Sequence, residues 1–400
     1  MKKVVLGEVC DFFNGGAWSD KEYVNEGIPV LKVTNCKSTG FQLDNLNYLS
    51  EKSREKYKKN NLIIGDIIVA TVGSHPNLKE SAAGRSCIVN SQVEGFYLNQ
   101  NAVCIRTKDK RILSQKYLGY LCKCADFQHY IQSRGRGAAN QMRIAISSIK
   151  EYSFTLPDFE NQQYIADVLS AYDDLIENNQ KQIKLLEEAA RRLYKEWFVD
   201  LHFPGHENTK IVDGVPEGWN EKTLSQVANV IMGQSPKSEF YNSEKKGLPF
   251  HQGVGSYGVR FVMDDIYSTS YTRIAEPNSI LFSVRAPVGR LNITKNKVVI
   301  GRGLAAINQT DGCQSYLYYL LKNKFFKDNI VGNGSIFASV SKDELLNQKF
   351  LIPERNLMMQ FEKIVSQMDK QIENLDSKNK KLIEARDRLL PKLMSGEVEV

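Results

Sequence analysis

The sequence predicts an α+β protein built as a tandem repeat. Two globules of mixed helix and strand are each followed by a long helix, and the two helices close on each other as an antiparallel coiled coil about a pseudo-two-fold axis. Three observations predict this. First, "YDDLIENNQKQIKLLEEAARRL" from Tyr172 returns as "MDKQIENLDSKNKKLIEARDRL" from Met368, 196 positions later. Second, the segments before each copy also match: "KYLGYLCKCADFQHYI" with "SYLYYLLKNKFFKDNI", then "SFTLP" with "KFLIP". Third, both copies keep apolar residues on a heptad.

The organisation that follows is a first globule over 1–157, a central helix over 158–200, a linker over 201–218, a second globule over 219–353, and a distal helix with tail over 354–400. β-Rich apolar runs predict strands at Val30–Val33, Ile67–Val72, Ala102–Ile105, Ile280–Val284 and Leu304–Ile307, with helix over Gln115–Ser133. Pro157 and Pro353 stand where a helix start tolerates proline. The stretch "FPGHENTKIVDGVPEGW" has prolines, glycines and no period, which is linker composition.

Along the central helix Leu169, Ile176, Ile183, Ala190 and Trp197 occupy a, and Ile165, Tyr172, Asn179, Leu186 and Leu193 occupy d. The offset is a multiple of seven, so Val365, Ile372, Asn379, Arg386 and Leu393 take a in the distal helix, with Phe361, Met368, Leu375, Leu382 and Leu389 at d. Each helix is predicted to run about 35 residues, or about 50 Å. Centred on one another antiparallel, they would set Asn179 opposite Asn379, a polar layer that fixes register because a slip would bury each amide unpaired. Arg386 departs from the apolar seam and predicts either a weakened stretch or a contact to another subunit. Pro391 should end or bend the distal helix, leaving the Leu393–Ile165 layer in doubt.

At 42% hydrophobic and 25% charged residues the composition is that of a soluble globular protein. The net charge of +7 permits nucleic acid as a partner without requiring it. Seven dispersed cysteines read as reduced thiols. Glu8 and Asp11 interrupt any signal-peptide core, and Asp66 interrupts the apolar run "LIIGDIIVATV", so the expectation is a cytoplasmic chain without membrane spans.

Catalytic signatures are missing, which predicts a non-catalytic chain. "GVGSYG" fits G-x-G-x-x-G, but the following "VRFVMDDIYSTSY" alternates like a strand, so no helix N-terminus would receive a phosphate. His202 and His206 are separated by the helix-breaking Pro204-Gly205, and His75, His129 and His251 stand alone, so no metal site is expected. The two globules instead share polar, glycine-flanked loops rich in base-reading side chains. In the first these are Lys32, Thr34 and Asn35; Ser74, His75, Asn77 and Lys79; Asn99 and Asn101; and Arg134, Arg136, Asn140, Gln141 and Arg143. In the second they are His251, Gln252, Ser256, Tyr257 and Arg260; Arg285 and Arg290; Arg302; and Asn333 with Ser335. Arginine pairs with guanine, asparagine or glutamine with adenine, and lysine with phosphate.

At this point "EWFVDLHFPGHE", "DGVPEGW", "IMGQSPKSEFYN", "LPFHQGV", "SVRAPVGR" and "IGRGLAAI", with "NQNAVCIR" and "GDIIVATVG" in the first half, resemble the specificity subunits of type I restriction–modification systems. The resemblance covers essentially the whole chain. It implies two target-recognition domains, each for one half of a split DNA sequence, and helices that set the spacing. It also implies two adenine-N6 methyltransferase subunits as partners, with translocase/endonuclease subunits able to join. S-adenosylmethionine, ATP and Mg²⁺ would sit on those partners and none on this chain. Two other readings use the same residues: an autonomous DNA-binding regulator and a coiled-coil scaffold.

Overall fold

Short apolar runs of each half assemble into the same three sheets, and the match goes deeper than the sequence repeat. The computed structural model describes residues 2–37, 40–43, 45–74, 81–138, 141–325 and 339–398. They form two units, residues 1–178 with 378–400, and residues 179–377.

In the first unit the central antiparallel sheet has the order Ser86–Ile88, Ile67–Ala70, Ala102–Thr107, Cys10–Asn14. In the second, Leu291–Ile293, Ile280–Ser283, Leu304–Gln309 and Ala228–Met232 repeat that order. A second sheet contains one parallel pair in each unit, Tyr97–Leu98 on Ile28–Leu31 and Val298–Ile300 on Leu248–His251. The third is a two-stranded ladder that ties the opening strand to the strand preceding the long helix: Lys2–Val5 with Ser153–Leu156, and Asn220–Thr223 with Lys349–Ile352.

One glutamine shows how closely the halves agree. Gln115 Oε1 accepts from Thr107 N (2.7 Å) while Nε2 donates to Ile105 O (3.1 Å). Gln314 makes the same pair of bonds to Gln309 N (2.8 Å) and Ile307 O (3.2 Å). Each amide thereby joins the end of the middle strand to the start of a helix. Gly15 and Gly233 form a second matched pair, just after Cys10–Asn14 and Ala228–Met232. A Cβ there would lie 1.9 Å from Asn99 O or 2.1 Å from Gly301 O, so only glycine lets the next loop close over the sheet. Gly233→Ala is expected to cost about 1–3 kcal/mol in denaturant unfolding. An unchanged midpoint would contradict the close approach.

The long helices span Phe159–Phe198 and Arg355–Ser395, 40 and 41 residues, somewhat longer than the periodicity predicts, and each starts two residues after its proline. Packing within each unit is antiparallel. In the first, Ile165 and Leu169 share a core with Leu390 and Leu393. In the second, Trp197 lies 6.0 Å from Phe361, and Val365 joins their core. Ile165, Leu169, Ile176, Asn179, Val365, Ile372 and Asn379 are buried; Ile183, Leu186, Leu193, Met368, Leu375, Leu382 and Leu389 are half-buried. Off the seam, Leu175 and Leu185 are exposed at 51% and 64%. The predicted stripe is therefore the packed one.

Three expectations are corrected. Pro391 lies inside its helix, which continues to Ser395 and keeps Leu393 buried beside Ile165; packing on that face outweighs the lost hydrogen bond. The predicted helix over Gln115–Ser133 is two, Gln115–Lys123 and Ala125–Ser133, parted at an extended Cys124. The linker contains a hairpin, Ile211–Val212 with Val215–Pro216, turning at Asp213 and Gly214 with positive φ, the conformation an Asp-Gly turn favours.

Arg386 has its partner inside the chain. In the first unit Asp173 receives Arg386, Tyr120 Oη (2.8 Å) and Lys123 Nζ (3.2 Å). Burial pushes the Asp173 carboxyl up, but Lys123 and Arg386 outweigh it and hold it below the usual range. The repeat carries Asp173 onto Asp369, Tyr120 onto Tyr319, and Arg386 onto Ala190. With alanine there, the second unit supplies its cation from the globule. Arg260, 2% exposed, pairs with Asp369 and with Glu187 (3.2 Å), bonds Tyr319 Oη (3.2 Å) and lies over the Tyr318 ring (4.5 Å).

Candidate nucleic-acid interface

The first unit gathers two of its predicted arginines on one ribbon and a third at its base. Strands Arg136–Ala138 and Gln141–Arg143 pair antiparallel, and Gln141–Arg143 also pairs with Val72–Gly73. Arg136 stands directly opposite Arg143. Both are exposed, and neither has a carboxylate partner among the described residues. Like charges directly opposite destabilise a ladder, and an anion between them would relieve the repulsion. Arg134 packs its guanidinium 3.6 Å above the Tyr130 ring at the base of the ribbon. Gln141 is placed in the strand by its backbone.

Other predicted positions divide into presented and structural groups. Lys32 is half-buried, donates to Asn47 Oδ1 (2.8 Å) and lies 4.9 Å from the Tyr23 ring. Asn35 accepts from Lys32 N (2.9 Å) and donates to Gln42 O (3.0 Å), so its amide builds the turn at Val33–Asn35 and leaves Thr34 exposed. Asn101 and Ser74 are half-buried and Asn99 is buried; the Asn101 carbonyl accepts from Thr71 N (2.9 Å). His75, Asn77, Lys79, Asn140, Asn333 and Ser335 lie outside the described residues.

In the second unit His251, Tyr257 and Arg260 are corrected to interior roles. His251 is fully buried between Ser256 Oγ (2.8 Å) and Asp264 (3.1 Å). Tyr257 Oη donates to Leu281 O (3.0 Å), and burial pushes its phenol pKa up. Arg260 is consumed by the helix carboxylates. Their immediate neighbours Gln252, Gly255 and Val259 are exposed, so the polar stretch does not announce which of its side chains turn inward.

The remaining residues form a cleft of about 510 Å³ lined by Arg285 and Arg302 with Met232, Val284, Ser339, Val340, Ser341 and Glu344. Both arginines are exposed, without an ion-pair partner among the described residues. Glu344 shares the cleft without an ion pair to either arginine among the described residues. It accepts from Ser341 N and Oγ (both 2.8 Å), bonds that hold its carboxyl below the usual range.

Arg302 is set on a rigid turn. Its N–H donates to Ser235 Oγ (3.2 Å), and Ser235 donates to Gln252 Oε1 (2.8 Å). A Cβ on Gly303 would lie 2.5 Å from Gln252 O, so the turn carries glycine there by necessity. The exposed Gln252 amide is thus oriented by a serine that the sequence reading missed. Ser235 has no repeat counterpart of its kind, since Ala17 occupies the equivalent place. Arg290 is exposed in the connection between Ile280–Ser283 and Leu291–Ile293, which also carries Arg285.

Elsewhere the chemistry is sparse. Among the described residues no three His, Cys, Asp or Glu side chains are grouped to hold a metal ion, and no helix is long and apolar enough to cross a membrane. All seven cysteines are buried free thiols.

Taken together, the fold and these loops define a tandem recognition protein, with two copies of one scaffold each presenting cations and amides suited to base edges and phosphates. Its sequence matches the type I restriction modification DNA specificity domain twice, over residues 1–188 and 216–385, and the chain belongs to that family of DNA specificity subunits, with two target-recognition domains. It is similar to the type I restriction enzyme MjaIX specificity subunit of Methanocaldococcus jannaschii, 29% identical over 301 residues, 71% of this chain and 69% of that one. The MjaVIII specificity subunit of the same organism is 26% identical over 409 residues, 95% of this chain and 91% of that one. The crystal structure of the type I restriction–modification S subunit from M. genitalium shares the fold, with a TM-score of 0.58 at 20% identity, covering 98% of this chain and 95% of that one.

Proposed function

We propose that each globule reads one half of a bipartite DNA target in the major groove, and that the paired long helices set the gap between the halves. In this reading the helices also carry two adenine-N6 methyltransferase subunits, which translocase/endonuclease subunits can join. S-adenosylmethionine, ATP and Mg²⁺ belong to those partners, and this chain contributes recognition without catalysis, in the cytoplasm.

One observation carries the reading of two half-sites: the frame repeats while the presented side chains do not. Strand register places Gln100 where the second unit has Arg302, Lys32 where it has Gln252, and Val72 where it has Arg285. Identical scaffolds with different donors and acceptors at equivalent loop positions select different bases.

A chimera tests it. With residues 1–157 replaced by those of a relative with another target, selection from a random duplex library should return a motif changed in one half and unchanged in the other half and in the gap. A motif altered in both halves would sink the proposal.

A further inference from the structure

We infer that the first unit holds a sequence-independent phosphate-binding cleft beside its reading loops, where Lys59 and Lys150 grip the backbone of one DNA strand. The inference rests on the DNA reading above and assigns a surface that reading does not use.

The cleft measures about 1080 Å³. One wall is the segment Glu55–Asn60, the other is Ile146, Ser147 and Lys150, and the floor is Phe12–Ala17. Lysines rim it on both sides. Lys56 is already paired with Glu22 (2.9 Å), and Lys58 lies 3.9 Å from Glu55. Lys59 and Lys150 are exposed, with no carboxylate partner among the described residues, so two cations on opposite walls await an anion. Alternation along the strand turns Phe12 and Phe13 to opposite faces, and the half-buried Phe12 ring lies 5.3 Å from Lys150 Nζ, an apolar support that positions this lysine at the cleft.

The fold does not demand lysine at these places. Strand pairing aligns Asn61 with Ile274, which puts Thr272 at the position of Lys59. Lys150 and Leu346 both end the short helix before the last strand. The second unit therefore builds the same frame with neutral residues. The cleft also borders the reading loops. Gly16 N donates to Leu98 O (2.7 Å) beside the Asn99–Asn101 turn, and Ile146 begins the helix three residues after Arg143. A duplex on the arginine ribbon would continue over it. Lysine, a point charge without planar geometry, suits phosphate better than a base edge.

The test is Lys59→Ala/Lys150→Ala in the full chain assembled with its methyltransferase subunits. Binding to a duplex carrying the target and to an unrelated duplex is followed by anisotropy from 50 to 300 mM salt. Both duplexes should lose affinity by the same factor, about tenfold near 0.1 M, and the slope of log K against log salt should fall by about 2. Lys59→Arg/Lys150→Arg should restore both. Unchanged affinity and slope would overturn the inference, as would a loss confined to the target duplex, which would mean base reading. Lost methyltransferase assembly with intact DNA binding would assign the cleft to an acidic protein surface and overturn it too. A wild-type complex with no preference for the target duplex would instead refute the DNA reading beneath it.

Discussion

Arg260→Ala is expected to destabilise the second unit by about 3–5 kcal/mol, the cost of leaving buried carboxylates uncompensated. Asp369 and Glu187 approach the guanidinium from the two long helices, while Arg260 itself belongs to the globule. Burial opposes the charge on Arg260, but Tyr318, Tyr319, Asp369 and Glu187 hold it protonated. Its Nε has no acceptor among the described residues, so the cluster is electrostatically strong but not fully satisfied there. Replacing the cation and both acids together, with Arg260→Met, Asp369→Leu and Glu187→Leu, should recover most of the loss, because a hydrophobic substitute needs no partner. Thermal unfolding of the single and triple variants reads both effects. A single variant as stable as wild type would show that the charges are solvated and the cluster unimportant.

The second large effect concerns recognition. Arg285→Ala/Arg302→Ala should weaken target binding by about 10²–10³-fold, since a well-placed arginine–guanine contact contributes about 1–3 kcal/mol. The loss should be confined to the half-site read by the second unit, with binding to unrelated duplex reduced far less. Both side chains line the surface cleft and make no side-chain hydrogen bond or ion pair among the described residues, so folding should be untouched. An equal loss on all sequences would make them phosphate contacts and move base reading elsewhere, with Gln252 the next residue to change.

Much of the fold was legible in the residues because periodicity and repetition are local signals. The heptad named the buried seam, and glycines and prolines marked most element ends. What escaped was decided at long range. The break at Cys124 has neither proline nor glycine to announce it and depends on how Phe127 and Ile131 pack behind it. Arg386 reads as a flaw in the seam until Asp173 is seen beside it. The Asp213-Gly214 hairpin, by contrast, was legible and was absorbed into linker composition.

The candidate site was less legible than the fold. Loop composition located the arginine ribbon and the Arg285–Arg302 cleft, yet it could not separate them from His251, Tyr257 and Arg260, whose polarity serves the interior. Polar type says what a side chain can bond, and only burial says whether it is already bonded. Ser235, and the lysines of the first cleft, carried no pattern at all, since their role comes from segments distant in sequence meeting across a sheet edge.

The most direct measurement is to co-express the chain with its methyltransferase subunit in a host lacking adenine methylation and to map every modified adenine. Two recognition units on one chain predict a single motif of two short half-sites around a fixed gap, with methylation abolished when this chain is omitted. Methylation that is the same without the chain, or that follows one uninterrupted motif, would contradict it.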